Sequence, residues 1–361
     1  MAINRVLFLH KFFTPDGGIE RVHQNLATAL ARHQVQSFFY VYDTQGESRD
    51  GFKRLAERYQ AFSPTQDKGF VGKLRELFAC IEAMQVEVLI SATETANMLA
   101  CLCALRYPRL SVIYTRHCAL DVSGQKLPPW AIKLLYNCYA LTNRKIVAVS
   151  QSLSEQLRSA IRIGRRQVDF IPNAVVDGRI FALAKTNTQK LQLGDYYCAV
   201  GRLVRQKGFD MLIDAYAMAK WRNPALPQLV IVGSGELQSQ LMEQAERRGV
   251  ADSVVFTGFV DNPYYIIKHA KAFILSSRHE GMPTVLVEAM ALDTPVIAFD
   301  CPTGPRELLG DNQFGVLVAP QDVPALSQAL LEHQQRNHRP TTDKVLKFHF
   351  DQVARAYMQH F

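Results

Sequence analysis

Two carboxylates, Glu280 and Glu288, flank the run Gly281-Met282-Pro283-Thr284-Val285-Leu286-Val287. Ala272–Leu275 before them reads as a buried parallel strand, Ser276–His279 as a polar turn and Thr284–Leu292 as a helix. Strand, glycine-containing loop and helix together present free backbone N–H groups and a positive helix end to an anion. A carboxylate beside an anion is unfavourable unless hydroxyls satisfy it, so both glutamates read as acceptors for sugar hydroxyls. The plainer alternative is an acidic residue favoured by the helix dipole and an ordinary exposed glutamate.

Three further stretches carry similar chemistry. In Cys198-Ala199-Val200-Gly201-Arg202-Leu203-Val204-Arg205-Gln206-Lys207-Gly208, Arg202 and Lys207 bracket a loop at a strand end. Two cations there would neutralise a diphosphate, arginine bidentately and lysine as a point charge; a surface Arg and Lys are the alternative. The strand Val6–Leu9 runs into a loop with Gly17 and Gly18, then a helix over Ile19–Arg32. That arrangement suits a phosphate approaching the backbone, or a plain turn. His117 lies two residues beyond the strand Ser111–Thr115, at a ligand-side strand end or in a structural role. Leu229–Glu236 adds another strand and glycine turn, without the full dinucleotide fingerprint.

The elements that must position these residues alternate. Strands are expected at Ser37–Tyr42, Val86–Ile90, Ser111–Thr115 and Lys145–Val149, with helical segments between them. Others follow from Tyr196, at Leu229–Val232, Val254–Val260 and Pro295–Phe299. Alternation of this kind specifies doubly wound parallel sheets. Ser150 is placed to cap the helix that begins near Leu153.

The setting EGMPTVLVEAMA around Glu280 and Glu288 resembles the signature of glycosyltransferase family 4, retaining enzymes of the GT-B fold. GGIERV and GRLVRQKGFD resemble the same family, and the likeness extends over most of the chain. Asp300-Cys301-Pro302-Thr303-Gly304-Pro305-Arg306-Glu307 is similar to its bacterial surface-polysaccharide members. The resemblance implies two Rossmann-like α/β domains facing a central cleft: an acceptor-binding domain over 1–176, a linker over 177–193 and a nucleotide-sugar domain over 194–342. A C-terminal helix, about 343–361, is expected to pack back on the first domain. It further implies that Glu280 and His117 contact the donor sugar and that Glu288 holds the ribose. Arg202 and Lys207 would bind the diphosphate, with Gly17 and Gly18 beside it. Gly281, Met282, Pro283 and Thr284 would line the donor, and the turn at Val260 would hold the base through backbone groups. Asp293 departs from the family, which has glycine at that helix end; a left-handed conformation suits Asp less well.

Composition narrows the class. At 361 residues with 48% hydrophobic content, two domains with substantial cores are affordable, and 20% charged residues argue against disorder. No apolar stretch approaches the roughly 18 residues that span a bilayer. The start lacks the features of a signal peptide. Seven cysteines without a Cys-x-x-Cys pair fit a reduced, cytosolic chain without structural zinc. The net charge of +8 is confined to one half: residues 1–180 carry 23 basic and 15 acidic side chains, and the rest carry 18 of each. Gly51–Tyr59, Lys68–Phe78 and Lys126–Lys133 mix basic with apolar residues, including Phe52, Phe70 and Trp130. They are candidates for an anionic membrane surface, or are simply solvated helix faces. No nucleic-acid signature is present.

The expectation is therefore retaining, metal-independent transfer from a nucleotide-diphosphate sugar, with a uridine nucleotide the choice from family frequency. The acceptor would be a glycan or polyprenyl-diphosphate-linked hydroxyl, in lipopolysaccharide, O-antigen or capsule synthesis. The chain would act at the inner face of the cytoplasmic membrane and need no cofactor. A sugar-nucleotide epimerase of the same fold and a non-catalytic sugar-nucleotide-binding protein are the competing classes. The first would turn over without acceptor, and the second would bind without turnover.

Overall fold

The structure is a computed structural model that describes residues 5–14, 17–118, 127–142, 144–164, 167–187, 194–333 and 341–361. Lys126, at the start of one of the basic segments, lies outside the described residues. The chain divides into two units, Met1–Ala174 with Phe348–Phe361, and Val175–Lys347.

In the first unit the order is β1 (Arg5–His10), α1 (Gly18–Ala31), β2 (Gln36–Val41), α2 (Glu47–Ala56), β3 (Gln60–Phe62), α3 (Phe70–Ala83), β4 (Val88–Ala92), α4 (Glu94–Arg106), β5 (Ser111–Arg116), α5 (Pro129–Leu141), β6 (Lys145–Ala148), α6 (Gln151–Ala160) and β7 (Val168–Phe170). The seven strands lie in the order β3-β2-β1-β4-β5-β6-β7, every pair parallel. Val6, Leu7, Phe8 and Leu9 are all fully buried, as expected for a strand covered on both faces. α1 buries Val22, Leu26, Ala29 and Leu30, one stripe at helical spacing. Ser150 caps α6, its hydroxyl accepting from the Leu153 N–H at 3.3 Å.

Strand order decides where a ligand can sit. The chain winds outward from β1 through β2 to β3, then crosses back to β4 and winds the other way. The crevice outside the carboxyl ends of β1 and β4 is therefore the switch point of this sheet. Right-handed crossovers put α1 and α2 on one face and α3 to α6 on the other. Side chains agree. Phe39 and Val41 pack in one cluster with Leu30 and Leu55, whereas Tyr40 between them reaches the Lys73 carbonyl on α3 at 3.5 Å. The basic segments of α2 and α3 consequently lie on opposite faces.

The second unit contains α7 (Gly178–Leu183), β8 (Tyr196–Val200), α8 (Phe209–Arg222), β9 (Gln228–Val232), α9 (Gln238–Arg247), β10 (Val254–Gly258), α10 (Tyr264–His269), β11 (Ala272–Leu275), α11 (Thr284–Ala291), β12 (Val296–Phe299), α12 (Pro305–Leu309), β13 (Val316–Val318) and α13 (Val323–Glu332). Its six parallel strands lie in the order β10-β9-β8-β11-β12-β13, with the switch between β8 and β11. The segment expected as a linker over 177–193 is helical at its start. It is tied to this unit, since Asn262 donates to the carbonyls of Leu183 at 3.0 Å and Thr186 at 3.2 Å. At Asp293 the backbone is left-handed (φ 57°), and its carboxylate accepts from the Thr341 N–H at 3.1 Å, a tie glycine could not make.

α14 (Phe350–Met358) returns to the first unit. Phe350, Val353, Ala354 and Tyr357 join the core of α1 and β1, and Arg32 pairs with Asp351 at 3.2 Å. No helix among the described residues is long and apolar enough to cross a membrane.

Candidate active site

In the second unit, the loop after β8 and the loop after β11 meet at the switch point. Lys207 Nζ lies 2.7 Å from Glu280 Oε1, and the Ser277 hydroxyl donates to the same oxygen at 2.7 Å. The Glu280 side chain is 7% exposed and that of Lys207 19%. The Thr303 hydroxyl donates to the Glu280 carbonyl, fixing the backbone as well. The residue expected on the diphosphate and the residue expected on the sugar are thus one ion pair. Arg202, at the start of the same loop, is exposed and has no ion-pair partner among the described residues.

The two loops are stitched by residues that sequence reasoning left as a polar turn. The Arg278 N–H donates to the Gln206 carbonyl at 2.8 Å, and Gln206 Nε2 donates to the His279 carbonyl at 3.0 Å. The Ser276 hydroxyl donates to the Lys207 carbonyl at 2.9 Å. The Arg278 guanidinium grips Asp210 at 2.8 and 2.6 Å and reaches the Arg205 carbonyl at 2.8 Å. Burial opposes the Asp210 charge, but the hydrogen bonds and charge of Arg278 outweigh it and hold the carboxyl below its ordinary range. No spacing signal could have found Arg278 and Asp210, because they lie 68 positions apart. Gly208, between the loops, has φ 65°, and a Cβ there would lie 2.1 Å from the Ser276 carbonyl oxygen.

Glu288 sits in the middle of α11 and is 3% exposed, so it is not an ordinary surface glutamate. The helix starts at Thr284 with Pro283 at its N-cap position, following Gly281 and Met282, which is buried. Val260, just beyond β10, is also buried.

The first unit gathers three imidazoles near its switch point. His10 ends β1, His23 lies on α1 and His117 follows β5. His10 Nε2 and His23 Nδ1 share a hydrogen bond of 3.0 Å, and the rings of His23 and His117 are 5.7 Å apart. Burial, then the neighbouring His117, push His10 down to about 3; burial, then Arg116, push His117 down to about 4; burial and both other histidines push His23 well below its ordinary value. The cluster is neutral at physiological pH. His10 and His23 were missed in the sequence, although a histidine ending the first strand is the same signal as His117. In the loop before α1, Gly17 lies against the Glu20 side chain. A Cβ on Gly17 would lie 1.9 Å from Glu20 Oε2, and Thr14 N–H donates to Glu20 Oε1 at 3.3 Å. Nothing lies within 4 Å of the Cβ position on Gly18.

The comparisons follow the two units. The family described as Glycosyltransferase Family 4 matches residues 16–179, and that described as Glycosyl transferases group 1 matches 185–340. A glycosyltransferase of Methanocaldococcus jannaschii is 27% identical over 55% of this chain, and the match spans half of that relative. The Campylobacter jejuni N-acetylgalactosamine-N,N'-diacetylbacillosaminyl-diphospho-undecaprenol 4-alpha-N-acetylgalactosaminyltransferase is 34% identical over 37% of this chain and 36% of its own length. Over 99% of this chain and 95% of the other, the fold matches Anabaena HepE, solved with UDP-glucose, with a TM-score of 0.76 and 19% identity. Two parallel-sheet units, family matches to each and a full-length GT-B likeness converge: the chain belongs to glycosyltransferase family 4 of the GT-B fold.

Proposed function

We propose that the protein is a retaining glycosyltransferase that moves a sugar from a uridine diphosphate sugar to a hydroxyl of a glycan or lipid-linked oligosaccharide, in bacterial surface-polysaccharide synthesis. The observation that carries this reading is the Lys207–Glu280 pair at the β8/β11 switch point, a cation for a leaving phosphate joined to an acceptor for sugar hydroxyls. The HepE complex with UDP-glucose and the lipid-linked substrate in the Campylobacter relative's name support the donor and acceptor classes.

In the reaction, the bond from the anomeric carbon to the diphosphate oxygen breaks and a bond to the acceptor oxygen forms on the same face. The acceptor proton passes to the leaving phosphate. Charge develops on that phosphate, so electrostatic stabilisation is the main contribution. Arg202, Lys207 and the N–H groups at the start of α11, near Gly281, would provide it without a metal. Glu280 and His117 orient the sugar, and Glu288 accepts from the ribose. Excluding water protects the donor from hydrolysis.

The test separates the two glutamates. Glu288→Ala should weaken binding of the free nucleotide by about 1.5–3 kcal/mol in calorimetry, the range for hydrogen bonds to a charged group. Glu280→Ala should lower turnover far more than nucleotide affinity. A folded Glu288→Ala protein with wild-type affinity would remove the ribose role.

The same proposal includes a peripheral site on the inner face of the cytoplasmic membrane, through the first unit. The fold divides the basic segments, so one membrane plane cannot use both α2 and α3. Phe52 is half-buried against the core, whereas Phe70, Val71 and Trp130 are exposed. The exposed apolar side chains support the α3–α5 face as the proposed contact. Charge reversal of Arg75 with Lys133 should release the protein from anionic vesicles at low salt, while reversal of Lys53 with Arg54 should not. Equal release by both pairs would show that net charge alone drives association.

A further inference from the structure

We infer that Thr115 is a positioning residue that fixes His117 as the Nε2–H tautomer, leaving Nδ1 as a lone pair that accepts from a hydroxyl of the bound sugar. The inference rests on the proposed role of His117 and adds which atom acts and what sets it. Thr115 Oγ1 lies 2.5 Å from the Ser91 carbonyl oxygen, a separation that requires a proton between them. A carbonyl has none to give, so the Thr115 hydroxyl donates there and its only proton is used. His117 Nε2 lies 2.9 Å from the same Oγ1. With the hydroxyl proton committed to Ser91, Oγ1 can only accept, and Nε2 must carry the hydrogen.

The surroundings hold this arrangement. Thr115, Ser91 and Asn97 are fully buried. The Ser91 hydroxyl donates to Asn97 Oδ1 at 2.6 Å, and Asn97 Nδ2 donates to the Thr115 carbonyl at 3.1 Å and to the Tyr136 hydroxyl at 3.3 Å. The chain from Asn97 to His117 therefore has one consistent set of donors and acceptors. Burial, then Arg116 beside it, disfavours a second proton on the His117 ring. A neutral imidazole with its hydrogen turned to Thr115 offers no charge to a phosphate. Its chemistry fits an uncharged hydroxyl donor, as on a hexose.

The test uses the full-length chain with nitrogen-labelled histidine. Two-bond nitrogen–proton spectra at neutral pH, with His117 assigned by its loss in His117→Gln, should show a pyrrole-type Nε2 and a pyridine-type Nδ1. Thr115→Val keeps the shape but removes the acceptor, and should convert that signal to a mixture of tautomers. It should also lower the turnover of donor sugar about tenfold, the effect of one neutral hydrogen bond, with affinity for free UDP unchanged. Thr115→Ser should restore both the tautomer and the turnover. A wild-type His117 protonated at Nδ1, or a tautomer indifferent to Thr115→Val, overturns the assignment. A tautomer that changes without any change in turnover overturns the positioning role. Absence of transfer with every nucleotide sugar would count against the proposed reaction, and the spectra would still decide the tautomer.

Discussion

Replacing Lys207 by alanine should lower turnover by about 100- to 1,000-fold, the effect of removing one preorganised group from a developing oxyanion. It should also destabilise the second unit. Glu280 would lose its ammonium partner in a nearly closed position where, among the described residues, the Ser277 hydroxyl also donates to it. Breaking a buried pair by removing one partner costs about 3–5 kcal/mol when both groups are enclosed. Here the ammonium is partly exposed, which places the expected loss nearer about 2–3 kcal/mol. The two effects come apart in the double variant. Glu280→Gln added to Lys207→Ala removes the stranded charge, so urea stability should recover while turnover stays low. Wild-type turnover in Lys207→Ala, or no recovery of stability in the double variant, would contradict this account.

Gly208→Ala should be as damaging without touching any charge. The position is left-handed, which costs a residue with a Cβ about 1–2 kcal/mol. The added carbon would also lie 2.1 Å from the Ser276 carbonyl oxygen, a backbone atom that moves only by shifting the chain. Forced displacement of a packed backbone adds about 1–3 kcal/mol. The expected total is about 2–5 kcal/mol, with loss of affinity for the proposed nucleotide donor as the loops shift. Gly249 supplies the control: its φ of 70° is similar, but no atom lies within 4 Å of the Cβ position. Gly249→Ala should therefore show the conformational part alone, about 1–2 kcal/mol. Equal melting temperatures for the two variants would show that the contact with Ser276 is immaterial.

The elements themselves were legible in the chain, because each is dictated by local rules. Continuous apolar runs such as Val6–Leu9 mark strands covered on both faces, and the stripe Val22, Leu26, Ala29 and Leu30 marks the buried side of α1. Strand-to-glycine-to-helix junctions marked the loops at the carboxyl ends of strands, and Glu280-x7-Glu288 marked the candidate site in the second unit. β3 escaped notice because three half-exposed residues at a sheet edge carry no period. What the chain could not disclose is which junctions meet. β8 and β11 are neighbours in the sheet although 71 residues separate Val200 from Ala272, and their pairing follows from crossover topology alone. That adjacency turned Lys207 and Glu280, two separate candidates, into one ion pair. It also recruited Arg278 and Asp210 as its bracket. In the first unit the same cause placed His10 and His23 beside His117, from a strand, a helix and a loop that share no sequence neighbourhood. Periodicity reports which face of an element is buried. Contact between elements depends on strand order, and strand order is settled only when the whole sheet closes its core.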